Sequence, residues 1–575
     1  MSSAKIVLFS GNNPNRIFTA ILKLTIFNMR NLLFVALLLI CSCAAPRKTS
    51  NVQMWQPYDE TQEVAKANQD NRRLRYKMIQ SKLLDKNTLW KVVAPQLYNF
   101  TETDYQQLKP LVLNQDIPTL QTHIQSGALS YEKLTQWYLY RIVLFENDRR
   151  TALNNIIAIN PNAVREARRK DKNRSAKDHA LYGIPVLIKD NINMQDMVTT
   201  AGATAFANNT TTDAFITARI KAKGGIILGK TNLSEWANYL CLDCPNGYSA
   251  MGGQTLNPYG LRLFDTGGSS SGSGSAMAAS YAAAAVGTET SGSILSPSSA
   301  HSLAGLKPTT GLLSRNGIVP ISSTFDTPGP MTRNVTDNAI LLSAMLGVDA
   351  ADEASKPNPQ NEFDWEQVKS GSLKGIRFGL MKSLLTDSLV KIQVAKMVSL
   401  GAVMVEIETD APALDGFGTI LNADMKTDLQ AYIKGYGNKN LPYQSIEDIM
   451  NFNMKDTLRS IPYGHGRFAG ILKDTTSAAA LTKLKATVRK NGIQFFEKHL
   501  QQHQLDIILS VNNRHAGYAA AANYPCLTVA MGYRSNGEPA GITFIARPWQ
   551  EMLLLKTGYA FEQATQERKT PTVYQ

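Results

Sequence analysis

The sequence predicts an α/β fold, with one β-sheet covered by helices on both faces. Three observations carry this. From about residue 119, short apolar runs of strand length alternate with segments of helical periodicity. No internal repeat and no composition break divides 119 from 565, which favours one large domain over the two to four that length alone suggests. The chain has 575 residues, 43% of them hydrophobic, ample for a large core without a metal or disulfide scaffold.

Taken in order, the chain opens on a targeting signal. Leu32 to Ile40 is apolar but too short to span a bilayer comfortably, and Met29, Arg30 and Asn31 precede it. The run ends in Ile40-Cys41-Ser42-Cys43, which resembles a bacterial lipobox with an unusual Cys41 at its second position. Residues 1–42 are therefore expected to be a lipoprotein-type signal peptide, with Met29 an alternative start and Cys43 the lipidated residue. The alternative is an uncleaved anchor helix. Either way the expectation is a cell-envelope protein of a bacterium, held to the membrane by a lipid anchor and facing the periplasm or the outside. Net charge is +14, and the four basic residues of 1–42 account for part of it, leaving +10. The remaining basic residues are scattered, which reads as a solvated surface and not as a nucleic-acid site.

Residues 43–118 are polar and read as an exposed, partly helical extension, with a helix-like patch at Arg73 to Leu84. The catalytic domain is expected over 119–570. Leu134 to Phe145 has apolar residues at helical spacing. Ile184 to Ile188 and Gly225 to Gly229 read as buried strands. Ile376 to Leu380 and Ala402 to Ile407 are strands either side of a helix. Asp506 to Val511, Leu527 to Met531 and Gly541 to Ile545 are later strands, and Glu551 to Thr565 closes the domain as a helix. Cys241 and Cys244 form one C-x-x-C, with no second ligand pair at zinc spacing. In an oxidising compartment they could pair, and two unrelated thiols is an equal reading.

Residues 267–275 read Gly-Gly-Ser-Ser-Ser-Gly-Ser-Gly-Ser, the composition of a flexible linker. Their context argues otherwise. Ala276 to Val286 follows at once, almost all alanine and small apolar residues, as in a tightly packed core. Gly287-Thr288-Glu289-Thr290-Ser291-Gly292-Ser293 comes next. Small residues there allow close backbone approach and can aim successive N–H groups at one spot, as an oxyanion hole requires.

These blocks, with Gly305-Leu-Lys-Pro-Thr309 and Asp326 to Thr332 (Asp-Thr-Pro-Gly-Pro-Met-Thr), resemble the amidase signature. Gly183-Ile-Pro-Val-Leu-Ile-Lys189-Asp190-Asn191, Gly229 to Glu235, Asn523-Tyr-Pro525 and Gly537 to Gly541 resemble further blocks of that family. The resemblance spans about 119–570 and is most similar to the peptide-amidase branch, through Gly-Thr-Glu-Thr and Gly253-Gln-Thr-Leu-Asn-Pro-Tyr259. It implies one large amidase domain on a mixed, twisted sheet. It implies Ser293 as nucleophile, Ser269 as bridging serine in a cis peptide, Lys189 as base, and an oxyanion hole of N–H groups over Thr290, Ser291, Gly292 and Ser293. Ser291 and Glu289 stand where many members have glycine and aspartate, and Leu295 where many have arginine.

The chemistry is self-consistent. A serine hydroxyl needs a base, and lysine serves only if burial lowers its pKa by several units. The implied activity is hydrolysis of a carboxamide to a carboxylate and ammonia or an amine, with a small-molecule or peptide amide as substrate and no cofactor or metal. Two other readings compete: the glutaminase-type subunit of a tRNA amidotransferase, against which the export signal argues, and a non-catalytic envelope lipoprotein, against which the complete Ser-Ser-Lys set argues. A histidine triad built on His301, His465 or His515 has no paired aspartate to support it. H-E-x-x-H does not occur.

Overall fold

Thirteen strands form among the described residues: β1 (Ile156–Ile159), β2 (Pro185–Lys189), β3 (Ile226–Thr231), β4 (Tyr248–Ser249), β5 (Gly253–Gln254), β6 (Ala284–Glu289), β7 (Ala304–Lys307), β8 (Thr327–Thr332), β9 (Arg377–Met381), β10 (Val403–Ile407), β11 (Ile507–Val511), β12 (Cys526–Tyr533) and β13 (Pro539–Ile545). They come from a computed structural model that describes residues 52–575, apart from 67–70, 358, 360–362 and 409–410. The expected signal segment and Cys43 lie outside the described residues.

Eleven strands make one sheet in the order β1-β3-β2-β6-β8-β7-β12-β13-β11-β9-β10, and β4 and β5 form a separate hairpin. The sheet is mixed. β3, β2 and β6 run parallel, as do β11, β9 and β10, and antiparallel pairs join these blocks through β8, β7, β12 and β13. Every residue of β2, β6 and β13 is buried, so both faces of the sheet are covered there. The edge strand β10 is largely exposed. The α/β reading and each strand named from sequence hold, with ends shifted by one or two residues. The helices run Tyr131–Glu146 and Glu551–Thr565.

Sequence reasoning missed β1, β4, β5, β7 and β8, and read Ala276 to Val286 as close-packed core without naming β6 as a strand. β8 carries Pro328 and Pro330, which usually argue against a central strand because they lack the ladder N–H. It is accommodated because β7 pairs only with its far end, at Met331 and Thr332.

The segment 71–118 is partly helical but not an exposed extension. Helices cover Asn87–Val93 and Glu102–Val112. Leu74, Val93, Leu97, Phe100 and Val112 sit in the main core, and residues 51–575 form one compact unit with no boundary at 118. The polar residues cover only one side of these helices, and the other side docks. Tyr105 stacks on Trp137 of the Tyr131–Glu146 helix, with ring centroids 5.0 Å apart. The patch from Arg73 to Leu84 is not a helix. A single 3₁₀ turn, Arg72–Leu74, precedes irregular chain, which Glu60 holds by accepting the N–H groups of Ile79 and Gln80.

Residues 411–500 add helices at Phe417–Tyr436, Ile446–Asn453, Gly466–Lys473 and Ala478–Gln502. They build smaller hydrophobic cores around Met425, Leu429, Phe468, Ile420 and Val488. Cys241 and Cys244 are joined by a disulfide in one of these cores, and Cys526 is a free, buried thiol. Among the described residues no helix is long and apolar enough to cross a membrane.

Candidate active site

The serine-glycine run is not a linker. Ser271–Ala278 is a wholly buried helix, and Ala284 onward is β6. Serine and glycine are poor helix formers, so burial and close packing hold this helix in place of propensity. Gly287 shows how close the approach is: a Cβ there would lie 2.7 Å from Met331 Sδ and 2.8 Å from Ser270 Oγ. The Ser270 hydroxyl donates to Thr288 O (3.0 Å) and accepts from Thr288 N (3.2 Å), fastening the start of the helix to β6.

Lys189 ends β2, beside β6. Its side chain is fully buried and donates to Ser269 Oγ (2.8 Å), Thr288 Oγ1 (2.9 Å) and Thr288 O (3.2 Å). Burial pushes the amine down to about 7, partly opposed by the Asp326 and Glu289 carboxylates. The next residue, Asp190, pairs with buried Lys230 at 3.2 Å and accepts the Thr200 N–H at 3.1 Å, which fixes the end of the strand.

The Gly268–Ser269 peptide bond is cis. Ser269 is fully buried, its carbonyl accepts from Ser234 N (3.0 Å), and Ser270 N donates to Ser293 O (3.1 Å). Ser269 and Ser293 thus belong to adjacent, mutually bonded backbones. Ser293 is 8% exposed, against none for Lys189 and Ser269.

The turn that carries Ser293 is built by Glu289 and Gly292. Glu289 Oε2 accepts the N–H groups of Ile294 (2.7 Å) and Leu295 (3.0 Å), folding 290–293 back on itself before the helix Leu295–Ala300. Gly292 has φ +85°, a left-handed conformation that favours glycine, and a Cβ there would sit 2.7 Å from Asn513 Nδ2. Among the described residues, no hydrogen-bond acceptor takes the backbone N–H groups of Thr290, Ser291, Gly292 or Ser293. Thr290 Oγ1 donates to Asp326 Oδ1 (2.6 Å), and Asp326 Oδ2 accepts from Ile321 N (2.8 Å) and Ser322 N (2.9 Å). Burial pushes the Asp326 carboxyl up.

The structure therefore brings Lys189, Ser269, Thr290, Ser291, Gly292 and Ser293 into one place. Two contributors escaped sequence reasoning. Thr288 accepts from both Lys189 and Asn191, whose Nδ2 lies 3.1 Å from Thr288 Oγ1. Asp326 anchors Thr290. Both lie in motif blocks, but only their pairing across strands reveals what they hold.

His301 and His515 are otherwise engaged. His301 Nδ1 faces Pro297 O at 2.7 Å and Nε2 faces Thr266 Oγ1 at 3.3 Å, while burial pushes it down to about 4. His515 Nδ1 faces Ser510 Oγ at 2.7 Å and is likewise pushed down to about 4 by burial. Burial lowers His465 as well. Among the described residues none of the three pairs with a carboxylate, and no group of His, Cys, Asp and Glu is placed to hold a metal.

A cavity of about 430 Å³ opens beside this site. Its wall includes Asn191, Thr288, Thr290 and Asp326 on the catalytic side and residues of the Phe417–Tyr436 helix on the other.

Comparison with known proteins gives a consistent result. The family model described as Amidase matches residues 134–513. A "Probable amidase" of Arabidopsis thaliana is 35% identical over 478 residues, covering 79% of this chain and 91% of that protein. Among solved structures, an amidase family protein from Bacillus anthracis is similar with a TM-score of 0.82 at 36% identity, covering 86% of this chain and 100% of that one. The native peptide amidase from Stenotrophomonas maltophilia is similar with a TM-score of 0.75 at 35% identity, covering 80% and 98%.

Proposed function

Because the chain belongs to the amidase signature family and is an amide-hydrolysing enzyme, we propose that it cleaves its substrate through an acyl-serine intermediate on Ser293, with Lys189 as base and Ser269 as the proton relay. The observation that carries this reading is the 2.8 Å contact between Lys189 Nζ and Ser269 Oγ in a site that holds the amine near 7.

The hydrogen bonds around Lys189 orient its lone pair. Thr288 O can only accept, and Thr288 Oγ1 lies within reach of a second N–H. A neutral amine has two N–H groups, and these two acceptors use both. The remaining tetrahedral position, the lone pair, then faces the Ser269 hydroxyl. Ser293 Oγ attacks the amide carbonyl as its proton passes to Ser269 Oγ, and the Ser269 proton passes to Lys189 Nζ. The carbonyl oxygen becomes an oxyanion among the N–H groups of 290–293, which have no acceptor among the described residues. The protonated lysine returns its proton through Ser269 to the departing nitrogen. The C–N bond breaks, and ammonia or an amine leaves an ester on Ser293. Water, deprotonated by the same relay, hydrolyses that ester to a carboxylate.

The likeness to the peptide amidase supports C-terminal peptide amides as substrates. An alkyl fluorophosphonate should label Ser293 and no other serine, and ammonia should be released from peptide amides. A chain left unlabelled, with full activity, would overturn the assignment.

The sequence also supports an envelope location, lipid-anchored through Cys43. Metabolic labelling with a fatty-acid analogue should mark the wild type and not Cys43→Ser. A wild type without label would exclude the anchor.

A further inference from the structure

Two asparagines follow β11, and the fold uses them differently. Asn512 is consumed. Its N–H donates to Gly541 O (2.8 Å), its Oδ1 accepts from Gly541 N (2.8 Å), and its carbonyl accepts from Thr543 Oγ1 (2.5 Å), which ties it to β13. Its φ of +50° is a left-handed conformation that asparagine tolerates better than most residues. The rest of the turn is bonded as well. Arg514 N donates to Val511 O (3.0 Å), Ala516 N donates to Asn513 O (3.1 Å), and His515 Nδ1 lies 2.7 Å from Ser510 Oγ. The turn is therefore fixed to the sheet that carries it.

Asn513 is the exception. It is exposed, and its carboxamide has no hydrogen-bond partner among the described residues. It stands directly on the turn that carries Ser293. A Cβ built on Gly292 would lie 2.7 Å from Asn513 Nδ2 and 3.4 Å from Asn513 Cγ. The same connection passes Ser291: a Cβ on Gly517 would lie 3.8 Å from Ser291 Oγ, a hydroxyl that also has no partner among the described residues. A polar group held by a fixed turn, beside the reacting groups and unused by the protein, is placed to meet a ligand.

The reacting carbonyl does not need this group. The four N–H groups of Thr290, Ser291, Gly292 and Ser293 already face it without an acceptor among the described residues. A carboxamide offers both N–H donors and a carbonyl acceptor, the complement of a peptide group. In a peptide amide the nearest such group stands one residue, about 3.8 Å along the chain, from the amide that is cleaved.

We infer that Asn513 binds the acyl part of the substrate, by hydrogen-bonding the peptide group one residue in from the amide that Ser293 attacks. Asn513 thereby selects peptide amides over simple aliphatic amides, which have no group to pair with it. The inference rests on the Ser293 reading above and names a residue that would enforce its substrate class.

The test compares acetyl-leucinamide with isocaproamide, which keeps the leucine side chain and the reacting amide and lacks the peptide group. Ammonia release gives the ratio of kcat/KM for the two. Asn513→Leu keeps the bulk over Gly292, Asn513→Ala removes it, and both remove the hydrogen-bonding groups. In each variant the ratio should fall about tenfold from its wild-type value, the order expected for one or two neutral hydrogen bonds, chiefly through a higher KM for acetyl-leucinamide. Thermal melting confirms that each variant is folded. A ratio that holds in either variant would overturn the assignment, including a loss shared equally by the two substrates, which is what a mere prop under the turn or a donor to the oxyanion would give. Fluorophosphonate labelling of Ser293 in the wild type separates the two claims. Labelling with an unchanged ratio removes only the Asn513 contact, and absence of labelling removes the mechanism beneath it.

Discussion

The segment 267–309 and the helical layer 411–500 face each other across one cavity, and they are built by opposite means. In the first, nearly every side chain is small and buried, and backbones nearly touch. A methyl on Gly287 or Gly292 would collide with a neighbour at 2.7 Å. In the second, long helices carry ordinary mixed faces and pack through cores of Met425, Leu429 and Phe468. The difference teaches where freedom lies. The hydrolytic machinery depends on backbone positions that tolerate few side chains. The far wall of the cavity needs only a helix that presents some side chain toward the site, so residues such as Asp428 can vary without disturbing the fold.

The comparison breaks most sharply at Ser293. Ser293→Ala should lower turnover by about 10⁴-fold or more while the melting temperature stays near that of the wild type, since the lost hydroxyl fills no core space. No substitution within 411–500 should approach that loss in single-turnover acylation. A helical-layer variant that did would show that both walls share the chemistry.

Lys189 comes next. Lys189→Ala should slow acylation by about 10³-fold, within the range of a lost general base, and Lys189→Arg should be nearly as damaging because guanidinium stays protonated. The sign of the pH dependence follows from the amine being held near 7. Below that pH the lysine is protonated and cannot accept, so acylation should rise about tenfold per pH unit and level off above it. A flat profile from pH 5 to 9, or Lys189→Arg with near-normal acylation, would exclude lysine as the base.

Thr288 sharpens the comparison within the catalytic wall itself. Thr288→Val keeps the shape of the side chain and removes one acceptor of Lys189, along with the acceptor of Asn191. Acylation should fall by about 10–100-fold, because the lone pair is less well aimed at Ser269. The midpoint of the pH profile should move as well, since the amine loses a partner. A purely structural role would lower the melting temperature and leave that midpoint in place.

How much of this was legible in the sequence follows the same division. Lys189, Ser269 and Ser293 could be named because their blocks resemble those of the amidase signature, and around Ser269 and Ser293 the small residues also suit close backbone packing. Most strands could be placed from apolar runs between turn residues. β8 could not, because Pro328 and Pro330 contradict the usual grammar of a central strand and only its partners excuse them. The docking of 71–118 was missed because its polar residues conceal a buried side formed by Leu74, Val93, Phe100 and Val112. Thr288 and Asp326 were missed as contributors because their roles exist only across a strand pair and a turn. The lining of the cavity was invisible for a simpler reason: residues such as Asp326, Glu353 and Asp428 are far apart in the chain and converge only on folding.

The smallest effect belongs to the Cys241–Cys244 disulfide, and it tests whether the two regions are energetically separate. The bond closes a loop of four residues within the core shared with the helical layer. Loop-closure entropy for so short a loop amounts to about 2 kcal/mol at most. For a chain this long, that corresponds to a shift in melting temperature of about 2–4 °C or less. Cys241→Ser with Cys244→Ser should therefore melt slightly earlier. Acylation of Ser293 should stay close to the wild-type rate, because none of the hydrogen bonds that hold Lys189, Ser269 or the 290–293 turn passes through residues 241–244. Measuring both quantities on the same preparation decides the point. A small melting shift with unchanged acylation keeps the regions separate, whereas a fall in acylation comparable to that of Thr288→Val would mean that the helical layer sets the geometry of the reacting groups.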